Sequence, residues 1–204
     1  MRGYYFITDA ALSKAGNFVD MRNAVAAGAC AVQYRNKGAS SKELYNEALV
    51  LRSLCIGVPF IVNDRVDIAL AVNADGIHLG QDDLPYSAAR KLLGKNKIIG
   101  ITAHSLDEAV VAERAGADYI GVSPIFATTT KADAGAPSGI ELIQQVKKAV
   151  KIPVTAIGGI TLENAVQVVE AGADSLCAIS SVITKEDVKA EIERFKAFYR
   201  QHLL

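Results

Sequence analysis

Short apolar runs alternate along the chain with longer segments in which apolar residues recur every three to four positions. The runs of strand length occupy residues 4–8, 31–32, 59–62, 77–79, 98–101, 119–121, 153–157 and 176–179. The segment that opens at Ser41 places Leu44, Ala48 and Leu51 on one helical face. The pattern therefore predicts eight strands that alternate with eight helices, the last helix running from about residue 185 to residue 202.

A repeated tripeptide marks the join between helix-like and strand-like segments. Its four copies are Gly28-Ala29-Cys30, Ala74-Asp75-Gly76, Gly116-Ala117-Asp118 and Gly172-Ala173-Asp174. Each copy follows a helical pattern and precedes an apolar run. The interval between copies is long enough for two strand–helix units, as a parallel α/β fold requires.

Capping residues support the same boundaries. Gly28, Gly116 and Gly172 stand where helix C-caps belong. Ser105 precedes Glu108 by three residues, which is typical of a capping box at a helix start. The segment from Thr161 to Asn164 resembles the same device.

Regular alternation without a linker predicts a single (β/α)8 barrel, a TIM barrel, with residues 1–204 as one catalytic domain. The alternative is a doubly wound open sheet, which accounts less well for the regular repeat. Half of the residues are hydrophobic and the mean hydropathy is +0.21. This composition suits parallel strands that are covered on both faces.

The charge balance and the cysteine content exclude several classes of function. The 22 basic and 22 acidic residues cancel, so a global field for nucleic acid or an anionic membrane is not expected. No run approaches the roughly 20 apolar residues of a membrane span, and the start of the chain does not resemble a signal peptide. Three dispersed cysteines form no CxxC pair. We expect a cytoplasmic protein; the apolar outer helices leave a homo-oligomer open.

Polar residues follow the second strand at alternate positions. Gln33, Arg35 and Lys37 share one face if the extended conformation continues. Active sites of this fold lie at the C-terminal ends of the strands. Two cations and an amide there suit a phosphate or diphosphate, because Arg offers a fork of donors and Lys a point charge. The alternative is a solvated basic loop.

Carboxylates follow the next two strands. Asp64 comes after the third strand, and Asp82 and Asp83 come after the fourth. Mg²⁺ typically takes one or two carboxylates and keeps its other positions for water and substrate phosphates. The spacing thus predicts a Mg²⁺–diphosphate site but does not choose between Asp82 and Asp83. These aspartates could instead cap the following helices.

The remaining strand ends predict a second anion site. Thr102 offers a hydroxyl after the fifth strand, whereas His78 and His104 favour structural hydrogen bonding. A threonine-rich segment with a lysine, residues 128–131, follows the sixth strand, and the small residues 132–138 after it resemble a lid. Loops after strands seven and eight often hold a phosphate through backbone amides, which Gly159 would allow to approach closely.

These motifs together resemble those of the thiamine phosphate synthase family, along nearly the whole chain. Five segments carry the resemblance: Q-x-R-x-K at 33–37, N-D at 63–64, A-D-G-x-H-x-G-Q-x-D at 74–83, P-I-F-x-T-x-T-K at 124–131 and A-I-G-G-I at 156–160. No single segment is specific, but their combination is.

The resemblance implies a Mg²⁺-dependent transferase. Such enzymes join a hydroxymethylpyrimidine diphosphate to a hydroxyethylthiazole phosphate and release diphosphate, through a pyrimidine carbocation. By carry-over, Asp64 and Asp83 hold Mg²⁺. The pyrimidine diphosphate would be held by Gln33, Arg35, Lys37, Asn63, Thr102 and Lys131, and the thiazole phosphate by Thr128, Thr130, Gly159, Ile179 and Ser180. Tyr34, Asn36 and Thr129 fall within the same motifs and join the expected substrate contacts, and the expected catalytic residues are Arg35, Lys37 and Lys131.

Three alternatives stay open at this stage. A thiazole tautomerase-like relative would tend to lack the metal aspartates and to carry a histidine near the position of Pro124. A non-catalytic phosphate-binding barrel would bind ligand without turnover. A sugar-phosphate isomerase would need an acid/base pair at the barrel mouth, and the sequence suggests no convincing one.

Overall fold

The computed structural model describes residues 1–130 and 135–201. Eight strands lie in it: β1 Gly3–Ile7, β2 Ala31–Tyr34, β3 Phe60–Asn63, β4 Gly76–Leu79, β5 Ile98–Ala103, β6 Tyr119–Val122, β7 Val154–Ile157 and β8 Ser175–Cys177. The helices are α1 Asn17–Ala26, α2 Ser41–Leu54, α3 Val66–Ala71, α4 Tyr86–Leu93, α5 Leu106–Ala115, α6 Gly139–Ala149, α7 Ala165–Glu170, α8 Ile179–Ile183 and α9 Val188–Gln201.

The strands form a closed parallel barrel in sequence order. Closure occurs where β1 pairs with β8, with Tyr4 opposite Leu176. The predicted (β/α)8 barrel is confirmed, and the open doubly wound sheet is excluded, because an open sheet would leave β1 and β8 as unpaired edges. No helix within residues 1–130 and 135–201 is both long and apolar enough to span a bilayer.

The last part of the described chain differs from the prediction. The eighth strand ends at Cys177, not at residue 179, and the next residues form the short helix α8. Ile179, Val182 and Ile183 are buried on one side of it. A short apolar run fits a strand or a helix equally well, so periodicity alone could not separate them. The final helix, α9, begins at Val188 rather than near residue 185.

Helix starts follow the predicted capping chemistry with two differences. The Ser105 hydroxyl accepts from the Glu108 amide at 3.2 Å, as expected. The Glu108 carboxylate, however, accepts from the His104 amide at 2.6 Å rather than from the cap residue itself. Thr161 does not cap a helix: α7 begins at Ala165, and Asn164 stands at its N-cap.

The repeated tripeptide has a structural role at the N-terminal end of the barrel. Asp75, Asp118 and Asp174 each precede a strand and accept a hydrogen bond at 2.8 Å from a backbone amide at the start of the strand before. Each also pairs, at 2.6–3.1 Å, with a basic side chain of the helix that precedes that earlier strand. The amides belong to Phe60, Ile99 and Val154, and the basic residues are Arg52, Arg90 and Lys147. We call each such arrangement an aspartate clamp; it ties a helix to the two strands that follow it.

Candidate active site

A cavity of about 200 Å³ opens at the C-terminal ends of the strands. Predicted site residues from seven strand ends line it: Lys37, Asn63, Asp64, Asp82, Asp83, Thr102, Thr128, Thr130, Gly159, Ile179 and Ser180. Residues that were not expected as ligands also line it, among them His78, Gln81, His104, Ser123 and Pro124. The barrel therefore brings residues of both predicted anion sites into one cavity.

The predicted site residues at the end of β2 do not all line the same cavity. Lys37 lines the main cavity. Arg35 instead lines an adjoining cavity, which shares Lys37 and Thr130 with the main one and also contains Thr129. The Nη1 of Arg35 donates to Oδ2 of Asp9 at 2.8 Å, and the two side chains are only 10% and 9% exposed. Because the buried Arg35 Nε has no hydrogen-bond partner within residues 1–130 and 135–201, this guanidinium has a donor that the described part of the fold does not use.

Three other residues of this segment lie away from the main cavity. Gln33 is buried in the barrel interior, where its Nε2 donates to the Tyr5 hydroxyl at 2.9 Å. The Tyr34 hydroxyl donates to Glu47 on α2 at 2.5 Å, and Asn36 donates to the same carboxylate at 3.3 Å. Burial, with the Glu47 carboxylate beside it, raises the pKa of Tyr34 well above its usual value. Tyr34 and Asn36 thus connect the β2 end to α2.

Three acidic side chains at the cavity could supply ligands to a hard cation. Asp64, Asp82 and Asp83 all line the cavity. Asp64 adopts a left-handed backbone conformation, with φ of 59°, which Asp tolerates better than most residues. Oδ2 of Asp83 accepts from the Gly80 amide at 2.7 Å. In the described part of the chain, no three His, Cys, Asp or Glu side chains are grouped to enclose a metal ion. This donor set fits Mg²⁺, which needs only one or two carboxylates.

Thr102 is held from two sides at the end of β5. Its hydroxyl lies 2.9 Å from Nε2 of His78, and its carbonyl accepts from the Gln81 side chain at 2.5 Å. His78 is buried and also contacts the Tyr119 hydroxyl through Nδ1, at 2.8 Å. The expectation of a structural hydrogen-bonding role for His78 is consistent with these two contacts.

The segment after β6 begins with a cis peptide bond between Ser123 and Pro124. Thr128 and Thr130 then line the main cavity, and the Thr128 hydroxyl accepts from the Thr130 amide at 3.2 Å. Lys131 and the first three residues of the predicted lid, 132–134, lie outside the described residues.

The ends of β7 and β8 complete the cavity. Gly158 and Gly159 have φ of 101° and 63°, and a Cβ at position 159 would lie 2.5 Å from the Ala127 carbonyl oxygen. Both glycines are therefore required by the backbone path. Ile179 and Ser180 open α8 at the cavity wall, and the Ser181 hydroxyl donates to the Ile160 carbonyl at 2.9 Å. This bond ties α8 to the segment after β7.

Sequence reasoning missed two features of the site. Asp9 is the second residue after β1, so the rule that selected the other strand-end residues could have selected it. Gln81 lies inside a recognised motif, but nothing in the sequence shows that its side chain reaches the Thr102 carbonyl. His104 was noted, and the structure places it at the cavity with Nδ1 2.5 Å from the Ser123 carbonyl.

Fold and cavity together define a (β/α)8 barrel with a polar cavity at the C-terminal ends of its strands, where enzymes of this fold have their active sites. The family model described as thiamine monophosphate synthase matches residues 4–182. The thiamine-phosphate synthase of Methanosarcina barkeri is 52% identical over 94% of this chain and 88% of its own, and that of Methanosarcina mazei is 50% identical over 97% and 83%.

A solved structure agrees with these sequence matches. The thiamine phosphate pyrophosphorylase of Pyrococcus furiosus superposes with a TM-score of 0.91 at 40% identity, covering 99% of this chain and 97% of the other. The chain belongs to the thiamine monophosphate synthase family.

Proposed function

We propose that this chain condenses a hydroxymethylpyrimidine diphosphate with a hydroxyethylthiazole phosphate in the presence of Mg²⁺, giving thiamine phosphate and diphosphate. The observation that carries the proposal is the shared cavity. Its one side has the three aspartates beside Lys37, and its other side has Thr128, Thr130 and the backbone around Gly159 and Ser180. Two phosphorylated groups can thus be held with their reacting ends facing each other.

The diphosphate is assigned to the β2–β5 side. Lys37, Asn63 and Thr102 line that side of the cavity and offer one charged and two neutral donors. Arg35 reaches the diphosphate from the adjoining cavity, with Asp9 holding its guanidinium. Gln33 lies deeper in the barrel, and Tyr34 and Asn36 support the β2 end through Glu47. Lys131 remains an expected diphosphate ligand from the resemblance.

Asp64 and Asp83 are the carboxylates that would hold Mg²⁺. When bound, this ion neutralises charge on the departing diphosphate. The protein residues around it keep the diphosphate oriented and surround it with donors. Loss of diphosphate from an electron-rich aminopyrimidine leaves a stabilised carbocation, which the thiazole nitrogen captures. Charge neutralisation at the leaving group, rather than a strong base, is what this path demands.

The thiazole phosphate is assigned to the β6–β8 side. Thr128 and Thr130 supply hydroxyls, and Gly159, Ile179 and Ser180 lie across from them. Thr129 faces the adjoining cavity with Arg35. Neutral donors suit a phosphate that stays intact during the reaction, because it needs to be held but carries no new charge.

A turnover assay tests this function. Purified protein with both substrates and Mg²⁺ should form thiamine phosphate, and EDTA should abolish product formation. A folded protein that binds the thiazole phosphate without turnover would contradict the proposal and favour a binding or tautomerase-like role.

Amide variants test the metal assignment. Asp64→Asn removes the charge but keeps a residue that tolerates the left-handed conformation, and it should lower kcat/KM by at least about a hundredfold, since a metal ion contributes several kcal/mol. Asp83→Asn should match it, whereas the neighbouring Asp82→Asn should cost far less. Equal losses at Asp82 and Asp83, or wild-type turnover by Asp64→Asn, would show that the ligands are assigned wrongly.

A cytoplasmic location, with small molecules rather than nucleic acid or membrane as partners, belongs to the same proposal. The balanced charge of the sequence supports it. Whether copies of the chain associate can be measured by light scattering of the purified protein.

A further inference from the structure

A chain of hydrogen bonds crosses the barrel interior beneath the cavity. Gln33 Nε2 donates to the Tyr5 hydroxyl at 2.9 Å, and this hydroxyl lies 2.8 Å from that of Tyr119. The Tyr119 hydroxyl lies 2.8 Å from Nδ1 of His78, and Nε2 of His78 lies 2.9 Å from the Thr102 hydroxyl. Five strands contribute one residue each, so the chain connects two predicted diphosphate ligands, Gln33 and Thr102, through residues with no assigned role.

Two glycines in neighbouring strands leave the space that these side chains occupy. Tyr5 and Tyr119 are completely buried. A Cβ on Gly100 would lie 2.0 Å from the ring of Tyr119, and one on Gly121 would lie 2.9 Å from the ring of His78. Contacts this close do not occur for real side chains, so both glycines are needed for the rings to fit. The chain is thus built into the barrel.

The direction of the bonds follows from the proton inventory. Burial raises the pKa of both Tyr5 and Tyr119 well above the usual value, so each phenol keeps one proton to donate. With the Gln33 amide donating to Tyr5, the arrangement that uses every proton has Tyr5 donating to Tyr119 and Tyr119 donating to Nδ1 of His78. A neutral imidazole then carries its proton on Nε2, and Thr102 accepts it.

We propose that Tyr119 and Tyr5 are positioning residues, which hold His78 in the Nε2–H form so that Thr102 turns its own hydroxyl proton toward an oxygen of the substrate diphosphate. This inference rests on the proposed role of Thr102 as a diphosphate ligand. It deepens that role by stating why the hydroxyl acts as a donor. Without the chain, Thr102 could donate to His78 instead and present only lone pairs to an anion.

The tautomer of His78 can be observed directly by ¹⁵N NMR of the imidazoles, at a pH well above the ordinary histidine pKa of about 6.5. The chain has three histidines, so His104→Gln and His202→Gln variants assign the signals. We expect His78 to carry its proton on Nε2, and Tyr119→Phe to produce a mixture of both tautomers. A wild-type protein with the proton on Nδ1, or a Tyr119→Phe variant that keeps one Nε2–H form, would overturn the proposal.

Steady-state kinetics of single and double variants test whether Tyr119 acts through Thr102. Tyr119→Phe should lower kcat/KM for the pyrimidine diphosphate about tenfold, the scale of a hydrogen bond to a charged group, and leave the KM for the thiazole phosphate unchanged. In a Thr102→Val background the same change should cost less than about twofold, because the bond it supports is already gone. Equal losses in both backgrounds would refute a path through Thr102.

Two further variants separate the possible failures. Tyr199→Phe removes another buried phenol, whose hydroxyl has no hydrogen-bond partner among the described residues, and should leave the His78 tautomer and the kinetics unchanged. Thr102→Ser keeps the hydroxyl, so in that background Tyr119→Phe should again lower kcat/KM about tenfold. If Thr102→Val keeps wild-type kcat/KM, the ligand role of Thr102 is wrong and the positioning proposal is overturned, while turnover by the wild-type protein still supports the proposed function.

Discussion

Arg35 and Asp9 form a nearly buried ion pair at the edge of the cavity. Removing one partner of such a pair leaves an uncompensated charge inside the protein, and the cost is about 3–5 kcal/mol. We expect Asp9→Ala to lower the free energy of unfolding by about 3 kcal/mol, measured by urea denaturation. The double variant with Arg35→Met should recover part of this loss. A single variant with wild-type stability would mean that water solvates Arg35 in place of Asp9.

Asp20 on α1 is a buried carboxyl that is incompletely paired. The Ser13 hydroxyl donates to its Oδ2 at 2.5 Å, but Oδ1 has no hydrogen-bond partner in the part of the chain that the structure describes. Burial raises the pKa of Asp20, and the Ser13 hydrogen bond offsets this in part. The folded state therefore binds the proton more tightly than the unfolded state does. Protonation stabilises the fold fully below the ordinary pKa of about 3.9, and this contribution is lost as pH rises through the raised value.

Asp20→Asn should therefore raise the free energy of unfolding at neutral pH, because it removes the buried charge. The gain should shrink toward zero as the pH falls below about 4, where the wild-type carboxyl is neutral as well. Urea denaturation of both proteins across this pH range measures the difference. A variant that is less stable than wild type at neutral pH would show that the carboxylate has partners the raised pKa does not reflect.

At the scale of elements, Asn164 braces the turn between β7 and α7. Its Oδ1 accepts from the Thr161 amide at 2.8 Å, and its Nδ2 donates to the Gly159 carbonyl at 3.0 Å. Asn164→Ala should release this turn and raise the KM for the thiazole phosphate several-fold more than the KM for the pyrimidine diphosphate, since only the former is assigned to Gly159. Steady-state kinetics with each substrate varied measures this split.

The matched control for Asn164→Ala is a helix cap remote from the cavity. Ser40 caps α2 through the Glu43 amide, and Ser40→Ala should cost about 1 kcal/mol of stability without changing either KM. Parallel rises in both KM values for Asn164→Ala would indicate a general loss of structure instead of a local release.

Elements with a sustained period are predictable from this sequence, and isolated pair contacts are not. The repeat in α2 extends over fourteen residues, which is long enough to separate a helix from a strand. Five residues in α8 are too few. The strand-end rule identifies Lys37, Asp64 and Thr102 as cavity residues, because it depends only on the direction of the strands.

The partner that each side chain selects depends on packing that no local pattern records. Arg35 turns to Asp9, 26 residues away, and Tyr34 turns to Glu47, 13 residues away. Alternation along β2 predicts the face of the strand on which each side chain lies, but it does not predict that a carboxylate lies on the same side. The hydrogen-bond chain of the barrel interior is hidden for the same reason, since it joins one residue from each of five strands.

At the scale of the whole molecule, the two ends of the barrel have different roles. The C-terminal ends of the strands carry the cavity residues, whereas the aspartate clamps lie at the opposite end. The aspartates of the internal repeat form these clamps and do not line the cavity. Repetition therefore reflects how successive strand–helix units are fastened together, while the chemistry lies in the residues that break the repeat.

The first copy of the repeat, Gly28-Ala29-Cys30, has no aspartate before its strand. Cys30 takes the place of the aspartate, keeps the backbone bond to the Tyr4 carbonyl at 2.8 Å, and offers no carboxylate; Lys196 of α9 donates to the Ala27 carbonyl instead. The join of β1 and β2 thus lacks a fastening that the other three joins have. We expect the pairing of β1 with β2 to open first in thermal fluctuations. In native-state hydrogen exchange, the β1 and β2 amides should therefore have a lower free energy of opening than the β5 and β6 amides. Exchange of all strands in one common unit would show that barrel closure alone determines the order of opening.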